Sequence, residues 1–305
     1  MQNEAVTERI RILTDRIDRL PAPGAVAIRL FEVTSSSTAG VDEVVSVLAS
    51  DPSLASRILS LCRRCNQDLV QEVETLEHAV VLLGFDEIRS AALSIEICGL
   101  LGPDPEPAIA VDLRRHALIT ASIARTLATR LGGISELEPS TAFLAGLLHD
   151  LGHLVLASVI PGPMSELAES ARIRNEDFDE TLRRVIGADG GMIGDRVAER
   201  WGFPDSLRGL IARAGRGPAA IPETSNRELE LVVGLADAIA RNHGLGAIGR
   251  RPGRGMIREF ESALGLESGI VEDHLAESLS IATRSAETLG LDGEPLATHL
   301  FRRLG

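Results

Sequence analysis

The chain has 305 residues, of which 44% are hydrophobic and 25% are charged, and its formal net charge is −13. This length and composition allow a substantial core and two subdomains in a soluble globular protein. The acidic balance argues against nucleic-acid binding, which depends on clustered Lys and Arg. The polar start lacks the apolar centre of a secretion signal, and we expect no apolar run to cross a bilayer. We therefore expect a cytoplasmic protein without membrane contacts.

Helical periodicity extends along almost the whole chain, and no segment alternates as a strand would. The first helix has an apolar face formed by Ile10, Leu13, Ile17 and Leu20. Pro21 ends this helix, because proline cannot continue a helical hydrogen-bond pattern. Asp51 and Pro52 have the residue types of an N-cap and a first helical position. Gly84 ends the helix LEHAVVLLG, and Asp86 can cap the next one. The sequence predicts an all-α fold.

Changes in composition divide the chain into four parts. The proline- and acid-rich segment GPDPEPA separates two helical lobes, which we place at residues 21–108 and 109–246, after an N-terminal helix at 1–20. Residues 247–305 then form a basic loop and C-terminal helices. We interpret the basic stretch GAIGRRPGRGMIR as a mobile loop, with contact to an acidic partner or a nucleotide as the alternative. The helices after it are amphipathic, so they either cover the core or contact a partner.

The stretch AGLLHDLGH combines acidic and imidazole groups on what the periodicity indicates is an apolar helix. His149 and Asp150 offer nitrogen and oxygen donors, which suit divalent ions such as Zn, Mn, Fe or Mg. His116 and Asp237 are polar residues within other core-facing helices. A metal site is one interpretation, and hydrogen-bonded pairs without an ion are the other. His153 is a weaker ligand candidate, because at this position a helix-surface or hydrogen-bonded role is more common.

The two histidines and two aspartates at 116, 149, 150 and 237 resemble the H…HD…D signature of the HD superfamily of metal-dependent phosphohydrolases. In that superfamily these four positions bind a divalent ion. Six segments follow one another from Leu20 to about Gly246: LPAPGAVAIRLFEV, ASDPSLASRILSLC, AVVLLGFDEIRSAAL, AFLAGLLHDLGHLVL, RVAERWGFP and VVGLADAIARNHGLG. In their order and spacing they resemble an HDOD domain, the HD-related output domain of bacterial signalling proteins. The resemblance implies two lobes packed as one unit, the second of them HD-domain-like.

Several positions depart from the pattern of catalytic relatives. Gly190 stands where related sequences often have a histidine, and Ala214 and Gly215 replace a His-His pair. The Gly-Tyr-Pro signature of cyclic-di-GMP hydrolases is missing, and the chain contains no tyrosine. His153 occupies the place where many catalytic HD relatives have lysine. These differences argue against a two-metal site.

Phosphoryl transfer needs cations or backbone amides that neutralise the phosphoryl group, in addition to a metal. All 31 basic residues are arginines, so a P-loop lysine is excluded. The candidate phosphate or ligand contacts are Arg115, beside His116, and Arg184, which precedes the Gly190 segment. Neither arginine is specific to phosphate.

Two functions of different classes remain open. The resemblance favours a non-catalytic signalling or scaffold module, a pseudoenzyme whose eroded HD site and helical surfaces bind a signalling protein or a small-molecule or nucleotide ligand. The alternative is a one-metal phosphohydrolase that acts on a nucleotide or phosphoester. We prefer the module, because kinship of fold is poor support for activity and the missing ligands count against it. Without a receiver or cyclase motif, we expect the input signal to come from a separate chain or a ligand.

Overall fold

The computed structural model describes residues 15–20, 23–34, 36, 38–65, 73–100, 108–131, 137–224, 226–245, 248–267 and 275–289. Within these ranges the chain forms 14 α-helices and one short 3-10 turn at Pro218–Ala220, without a strand. The all-α prediction is therefore confirmed. Of the predicted first helix, residues 15–17 are helical, whereas Ile10, Leu13 and Pro21 lie outside the described ranges.

The first lobe consists of four helices: α1 (Ala25–Thr34), α2 (Val41–Ala49), α3 (Pro52–Cys65) and α4 (Leu76–Leu100). Helix α4 packs against the other three. The N-cap prediction is confirmed, because the backbone N–H groups of Ser53 and Leu54 each donate to Asp51 Oδ1 at 3.0 Å. Gly84 interrupts α4 with φ 78° and ψ 165°, a conformation that suits glycine, so the predicted helix end is a kink between two helical segments.

The second lobe contains eight helices: α5 (Ala108–Leu131), α6 (Pro139–Leu148), α7 (Leu151–Val159), α8 (Pro161–Arg174), α9 (Phe178–Val185), α10 (Gly190–Arg200), α11 (Asp205–Arg213) and α12 (Arg227–Asn242). Helix α5 is its centre and contacts α6, α7, α8 and α12. Buried residues occur on nearly every face of α5, as expected for a helix enclosed by others. Gly146 allows α6 to approach α5 closely, because a Cβ there would lie 2.7 Å from the Ala121 Cα.

The two C-terminal helices, α13 (Gly253–Ala263) and α14 (Leu275–Leu289), cover the core. Helix α13 packs on α12, and α14 packs on α5 while also contacting α3 and α4. The basic stretch at residues 246–258 is therefore not a loop throughout, since the chain is helical from Gly253 onwards. The phenylalanine and isoleucine of α13, Phe260 and Ile257, are buried and hold this helix in place.

The two lobes pack directly against each other through α4 and α6. Arg89 of α4 donates a hydrogen bond to Thr141 Oγ1 of α6 at 3.2 Å. Arg125 of α5 forms an ion pair with Glu87 of α4. The stretch Pro139–Val159, which spans α6 and α7, is long and apolar enough to cross a membrane, contrary to our expectation from the sequence. Of the most apolar 18 residues in this stretch, 83% are buried inside the fold, as in a core helix of a soluble protein.

Candidate metal centre

The His-Asp doublet lies at a junction between helices. His149 is the C-cap residue of α6 and keeps a helical backbone conformation, with φ −53° and ψ −38°. Asp150 leaves the helical conformation, with φ −100° and ψ 27°, and precedes α7. The prediction of one continuous helix through the doublet is therefore wrong. Adjacent residues of a continuous helix project about 100° apart. The break at Asp150 changes this angle, and the side chains of His149 and Asp150 reach the same cluster.

The structure brings the four predicted ligands together from three separate parts of the second lobe. One donor atom each from His116, His149 and Asp237 lies within 4.8 Å of the others. His116 Nε2 is 3.0 Å from Asp237 Oδ1, and His149 Nε2 is 3.8 Å from the same oxygen. Asp150 Oδ2 lies 3.4 Å from His149 Nε2 and 3.7 Å from His116 Nε2. Two imidazoles and two carboxylates thus converge on one point.

Backbone carbonyls hold both imidazole rings by their outer nitrogens. His149 Nδ1 donates to the Gly146 carbonyl at 2.7 Å, and His116 Nδ1 donates to the Leu245 carbonyl at 3.2 Å. A histidine held in this way presents Nε2 to a metal ion. His149 Nε2 is buried and has no partner with hydrogen-bond geometry among the described residues. A buried nitrogen that faces carboxylates needs a cation, either a proton or a metal ion, so the residues fit a divalent ion.

The electrostatics of the cluster also favour a bound positive charge. Burial disfavours the charged form of His149, but the negative charges of Asp150 and Asp237 outweigh burial and raise its pKa to about 10. Burial likewise opposes ionisation of Asp237, but Arg241 and His116 hold the pKa of that carboxyl well below its usual range. The pKa of Asp150 is lowered against burial by His149 and His153. The cluster therefore keeps its carboxylates ionised and attracts cations.

His153 is buried in a hydrogen-bonded cluster and does not lie on the helix surface. Its Nδ1 is 3.0 Å from Asp150 Oδ1, and its Nε2 is 2.9 Å from Asp179 Oδ1. Burial opposes its charge, but these two carboxylates raise the pKa of His153 well above the ordinary value. His153 thus lies within hydrogen-bond distance of two carboxylates, and its role as a metal ligand stays a prediction. The ring faces Oδ1 of Asp150, whereas His149 faces Oδ2.

Gly190 has a steric role beside this ring. A Cβ at position 190 would overlap the imidazole of His153. The backbone N–H of Gly190 donates to Asp179 Oδ1 at 2.8 Å, so the glycine also helps to fix that carboxylate. The absence of a side chain at position 190, which removes a possible ligand, therefore also leaves room for the His153 ring.

The two arginines predicted to contact phosphate are engaged elsewhere. Arg115 lies 3.7 Å from Asp112, and Arg184 lies 2.9 Å from Glu176. Neither is among the residues that line the cavity at the cluster. Arg241 lines it instead, with its guanidinium 3.6 Å from Asp237 Oδ2 and 3.3 Å from Asp177 Oδ2.

Sequence reasoning missed three polar residues that line this cavity, Asp177, Asp179 and Arg241. Arg241 could have been found, because it follows Asp237 by four residues and therefore shares its helix face. Asp179 gave no such signal, since it meets His153 only through the packing of α9 against the remainder of the lobe.

Two small cavities reach the cluster. The first has a volume of about 30 Å³, enough for an ion or a water-sized group. Its polar lining consists of His116, Asp150, His153, Asp177, Asp179, Asp237 and Arg241. The second, about 20 Å³, touches His149, Arg213 and Glu230. Gly215 borders both cavities, at one of the positions where related sequences often carry histidine.

The helical fold and the ligand cluster define a domain of the HD type. The sequence profile of the HDOD domain matches residues 20–216, and the chain belongs to this family. The matched range includes His116, His149 and Asp150, while Asp237 lies beyond it. An uncharacterized protein of Treponema pallidum (strain Nichols) is 24% identical over 202 residues, which are 65% of this chain. The match spans 38% of that longer relative.

Solved structures share the fold. A protein of Marinobacter aquaeolei VT8, provisionally named a signal transduction protein, has a TM-score of 0.73 and 23% identity, over 96% of this chain and 67% of that one. An HDOD domain protein of unknown function from Geobacter sulfurreducens has a TM-score of 0.70 and 21% identity, over 93% and 97%. A provisionally named phosphohydrolase of Shewanella amazonensis SB2B has a TM-score of 0.69 and 22% identity, over 91% and 97%. At these identities the likeness concerns the fold alone.

Proposed function

We propose that this chain is a non-catalytic signal-transduction module of the HDOD type that holds one divalent ion. His116, His149, Asp150 and Asp237 would bind the ion. Two imidazole ligands favour Zn, Mn or Fe over Mg, which prefers oxygen ligands. Bound there, the ion would join α5, the α6–α7 junction and α12, and would thereby stabilise the second lobe.

The observation that carries this proposal is the size of the space around the cluster. Pockets that bind small molecules typically measure about 300–1,000 Å³. The cavity at the cluster measures about 30 Å³, so it accepts an ion with little else. Arg241 is held between Asp177 and Asp237 instead of pointing towards a position for a phosphate. An ion bound in this cavity would stabilise the fold, and a phosphoester would have no room to reach it.

The partners of such a module are a signalling protein or a small-molecule or nucleotide ligand bound at the helical surface. The provisional description of the Marinobacter structure as a signal transduction protein agrees with this role. The net charge of −13 makes nucleic acid an unsuitable partner. We propose that the module is cytoplasmic and that it functions without membrane contact.

The second candidate is a one-metal phosphohydrolase acting on a nucleotide or phosphoester. It is favoured by the presence of all four ligand positions and by the position of Arg241 in the cavity wall. In such an enzyme the ion supplies an activated water at neutral pH. The cavity would have to widen before a phosphoester could approach the cluster.

Elemental mass spectrometry of the purified chain, before and after reconstitution with Zn, Mn or Fe, tests the proposal. We expect about one ion per chain, lost in His149→Ala and in Asp150→Ala. Asp195→Ala is the matched control, because it removes a carboxylate of the same lobe that pairs with Arg208 outside the cluster. Circular dichroism verifies that each variant keeps its helical content.

A phosphoesterase assay of the metal-loaded chain separates the two candidates. The module shows no turnover, whereas turnover that requires the metal and disappears in Asp150→Ala would establish the phosphohydrolase. Failure to bind any of the three ions after reconstitution would contradict both candidates.

A further inference from the structure

A run of positive charge without acidic residues follows Asp237 in the sequence. Between Asp237 and Glu259 the chain contains five arginines and no aspartate or glutamate, although its net charge is −13. One of the five, Arg241, pairs with Asp237 inside the cluster. The other four are exposed, and we call them the arginine patch: Arg250, Arg251, Arg254 and Arg258. Among the described residues, none of these four forms an ion pair with a carboxylate, so their charges face solvent.

The backbone that carries Arg250 is held on two sides. Gly249, with φ 77°, approaches the loop before α9 so closely that a Cβ there would lie 2.9 Å from the Glu176 carbonyl oxygen. The N–H of Arg250 donates to the same carbonyl at 3.1 Å, and the Arg250 carbonyl accepts a hydrogen bond from the Arg241 side chain at 3.2 Å. This part of the patch therefore has a fixed backbone, which reduces the ordering that a partner must impose when it binds.

The first turn of α13 adds positive charge beside these arginines. Its N-cap residue is Pro252, which has no side chain that accepts a hydrogen bond, and its first turn contains no acidic residue. The amide groups at this helix end therefore leave a partial positive charge beside Arg254. A Cβ at Gly253 or Gly255 would contact no other described segment within 4 Å, so the backbone there is open to a ligand.

We infer that the arginine patch is the docking surface for an acidic segment of a partner protein. The inference rests on the proposed function, because it gives the proposed signalling module a surface for its partner. Charge complementarity carries it: exposed guanidinium groups without carboxylate partners of their own form strong hydrogen bonds to the carboxylates of another chain.

The distribution of the arginines favours an extended segment over a compact anion. Arg254 and Arg258 are separated by about one helical turn, so they lie on the same side of α13, about 6 Å apart along its axis. Arg250 and Arg251 precede the helix, so the four charges are spread over the surface. The cavity that Ile248 lines has a volume of about 30 Å³, too small for a nucleotide. A nucleic acid would extend beyond the patch over a chain of net charge −13, whereas a short peptide stays within it.

Binding of a fluorescein-labelled octaglutamate peptide to the full chain, measured by fluorescence anisotropy, tests the docking surface. We expect the wild type to bind this peptide, with an affinity that falls as the salt concentration rises, because salt screens exposed charges. The double variant Arg250→Glu/Arg254→Glu should bind it about tenfold more weakly or worse, because like charges then face the peptide. Circular dichroism should show an unchanged helical content, since both side chains are exposed.

The control is a second double variant with the same change in net charge, Arg19→Glu/Arg57→Glu. Both of these arginines are exposed and lie outside the patch. Its affinity for the peptide should stay within about twofold of the wild-type value, because salt screens charges that do not touch the peptide. An equal loss of affinity in the two double variants would show that only the net charge matters, and this result would overturn the docking surface.

Three other results would also overturn it. The wild type may bind no peptide; an equal concentration of inorganic phosphate may release the peptide, which would indicate a compact anion site; or a labelled oligothymidylate may bind more tightly than the peptide and lose this binding in Arg250→Glu/Arg254→Glu, which would assign the patch to nucleic acid. The metal content and the phosphoesterase assay report on the proposed function separately. A chain that fails those tests but binds the peptide at the patch would lose the proposed function and keep the docking surface.

Discussion

The two lobes bury different kinds of side chain. Among the described residues, the buried polar groups of the first lobe are hydroxyls, Thr34, Ser90 and Ser94. Thr34 and Ser94 donate to carbonyls one turn earlier in their own helices, at 2.7 Å each. The second lobe buries ionisable groups: His116, His149, His153, Asp189, Glu230 and Asp237. Buried charges need partners, and here those partners come from other helices. The first lobe is thus stabilised by apolar packing, and the second depends in addition on long-range polar pairs.

The largest effect should follow from breaking an ion pair of the second lobe in which the carboxylate is buried and the arginine is partly exposed. Arg213 donates two hydrogen bonds to Glu230, at 2.7 and 2.5 Å, and the Glu230 side chain is only 3% exposed. Arg213→Ala would leave a buried carboxylate without its partner, which costs about 3–5 kcal/mol. Urea unfolding followed by circular dichroism measures this loss.

A surface pair with the same geometry provides the control. Arg172 donates two hydrogen bonds to Glu169, at 2.7 and 2.6 Å, where both side chains are exposed. Arg172→Ala should leave the unfolding midpoint nearly unchanged, because water screens an exposed pair. Equal losses in the two variants would mean that burial does not distinguish these pairs.

Apolar truncation in the first lobe should be nearly as destabilising and have no effect on metal binding. Leu30 is fully buried in α1. Leu30→Ala removes buried methyl groups and leaves a cavity, at a cost of about 2–5 kcal/mol. The metal content of the folded variant should equal that of the wild type. Loss of metal from a folded Leu30→Ala chain would show that the two lobes are coupled through the hydrophobic core that they share.

The same contrast explains how much the sequence could predict. The first lobe follows from local rules: Asp51 caps α3, and apolar periodicity marks the buried faces. The ligand cluster was found from residue types that are unusual in core-facing helices, supported by the resemblance to a family. The His153–Asp179 pair and the Gly190 contact arise only when α7, α9 and α10 pack together. The break at Asp150 was missed because AGLLHDLGHLVL has uninterrupted helical periodicity.

The ionisable cluster should make the stability of the metal-free chain depend on pH. The pKa of His149 is raised from 6.5 to about 10, so its stabilising contribution is complete below pH 6.5 and is lost as the pH rises towards 10. Asp150 and Asp237 have lowered pKa values, so their contribution is complete above their usual pKa of 3.8 and is lost under acid. Stability from this cluster should therefore be greatest between these limits, and the midpoint of thermal unfolding in chelator should fall from pH 6.5 upwards.

Metal should reverse that alkaline trend. An ion displaces the proton from His149 Nε2, so its affinity increases as the pH rises towards the pKa of that histidine. The stabilisation produced by a fixed metal concentration should then grow with pH over the range in which the metal-free chain weakens. In His149→Ala both trends should become shallower. Parallel pH profiles with and without metal would argue against binding at this cluster.

A loss smaller than that of the buried pair or of the core truncation should come from two helix caps that share one local role. Asp51 accepts N–H groups of α3, and Asp177 accepts the N–H groups of Asp179 and Glu180 in α9. Asp51→Ala and Asp177→Ala should each cost about 1 kcal/mol through loss of the cap, measured by urea unfolding. Asp51→Asn keeps the acceptor and should restore most of the loss.

The lobe in which each cap lies should decide whether metal binding changes. Asp177 is 3.3 Å from Arg241 and orients the backbone of Asp179, so it is linked to the ligand cluster, whereas the side chain of Asp51 accepts N–H groups of its own helix in the other lobe. We expect Asp177→Ala to weaken metal affinity and Asp51→Ala to leave it unchanged, measured by competition with a chelating dye. Both variants lose a helix cap, so a difference in metal affinity between them measures the contribution of the contact from α9 through Arg241 to Asp237. Identical affinities would mean that this contact does not contribute to metal binding.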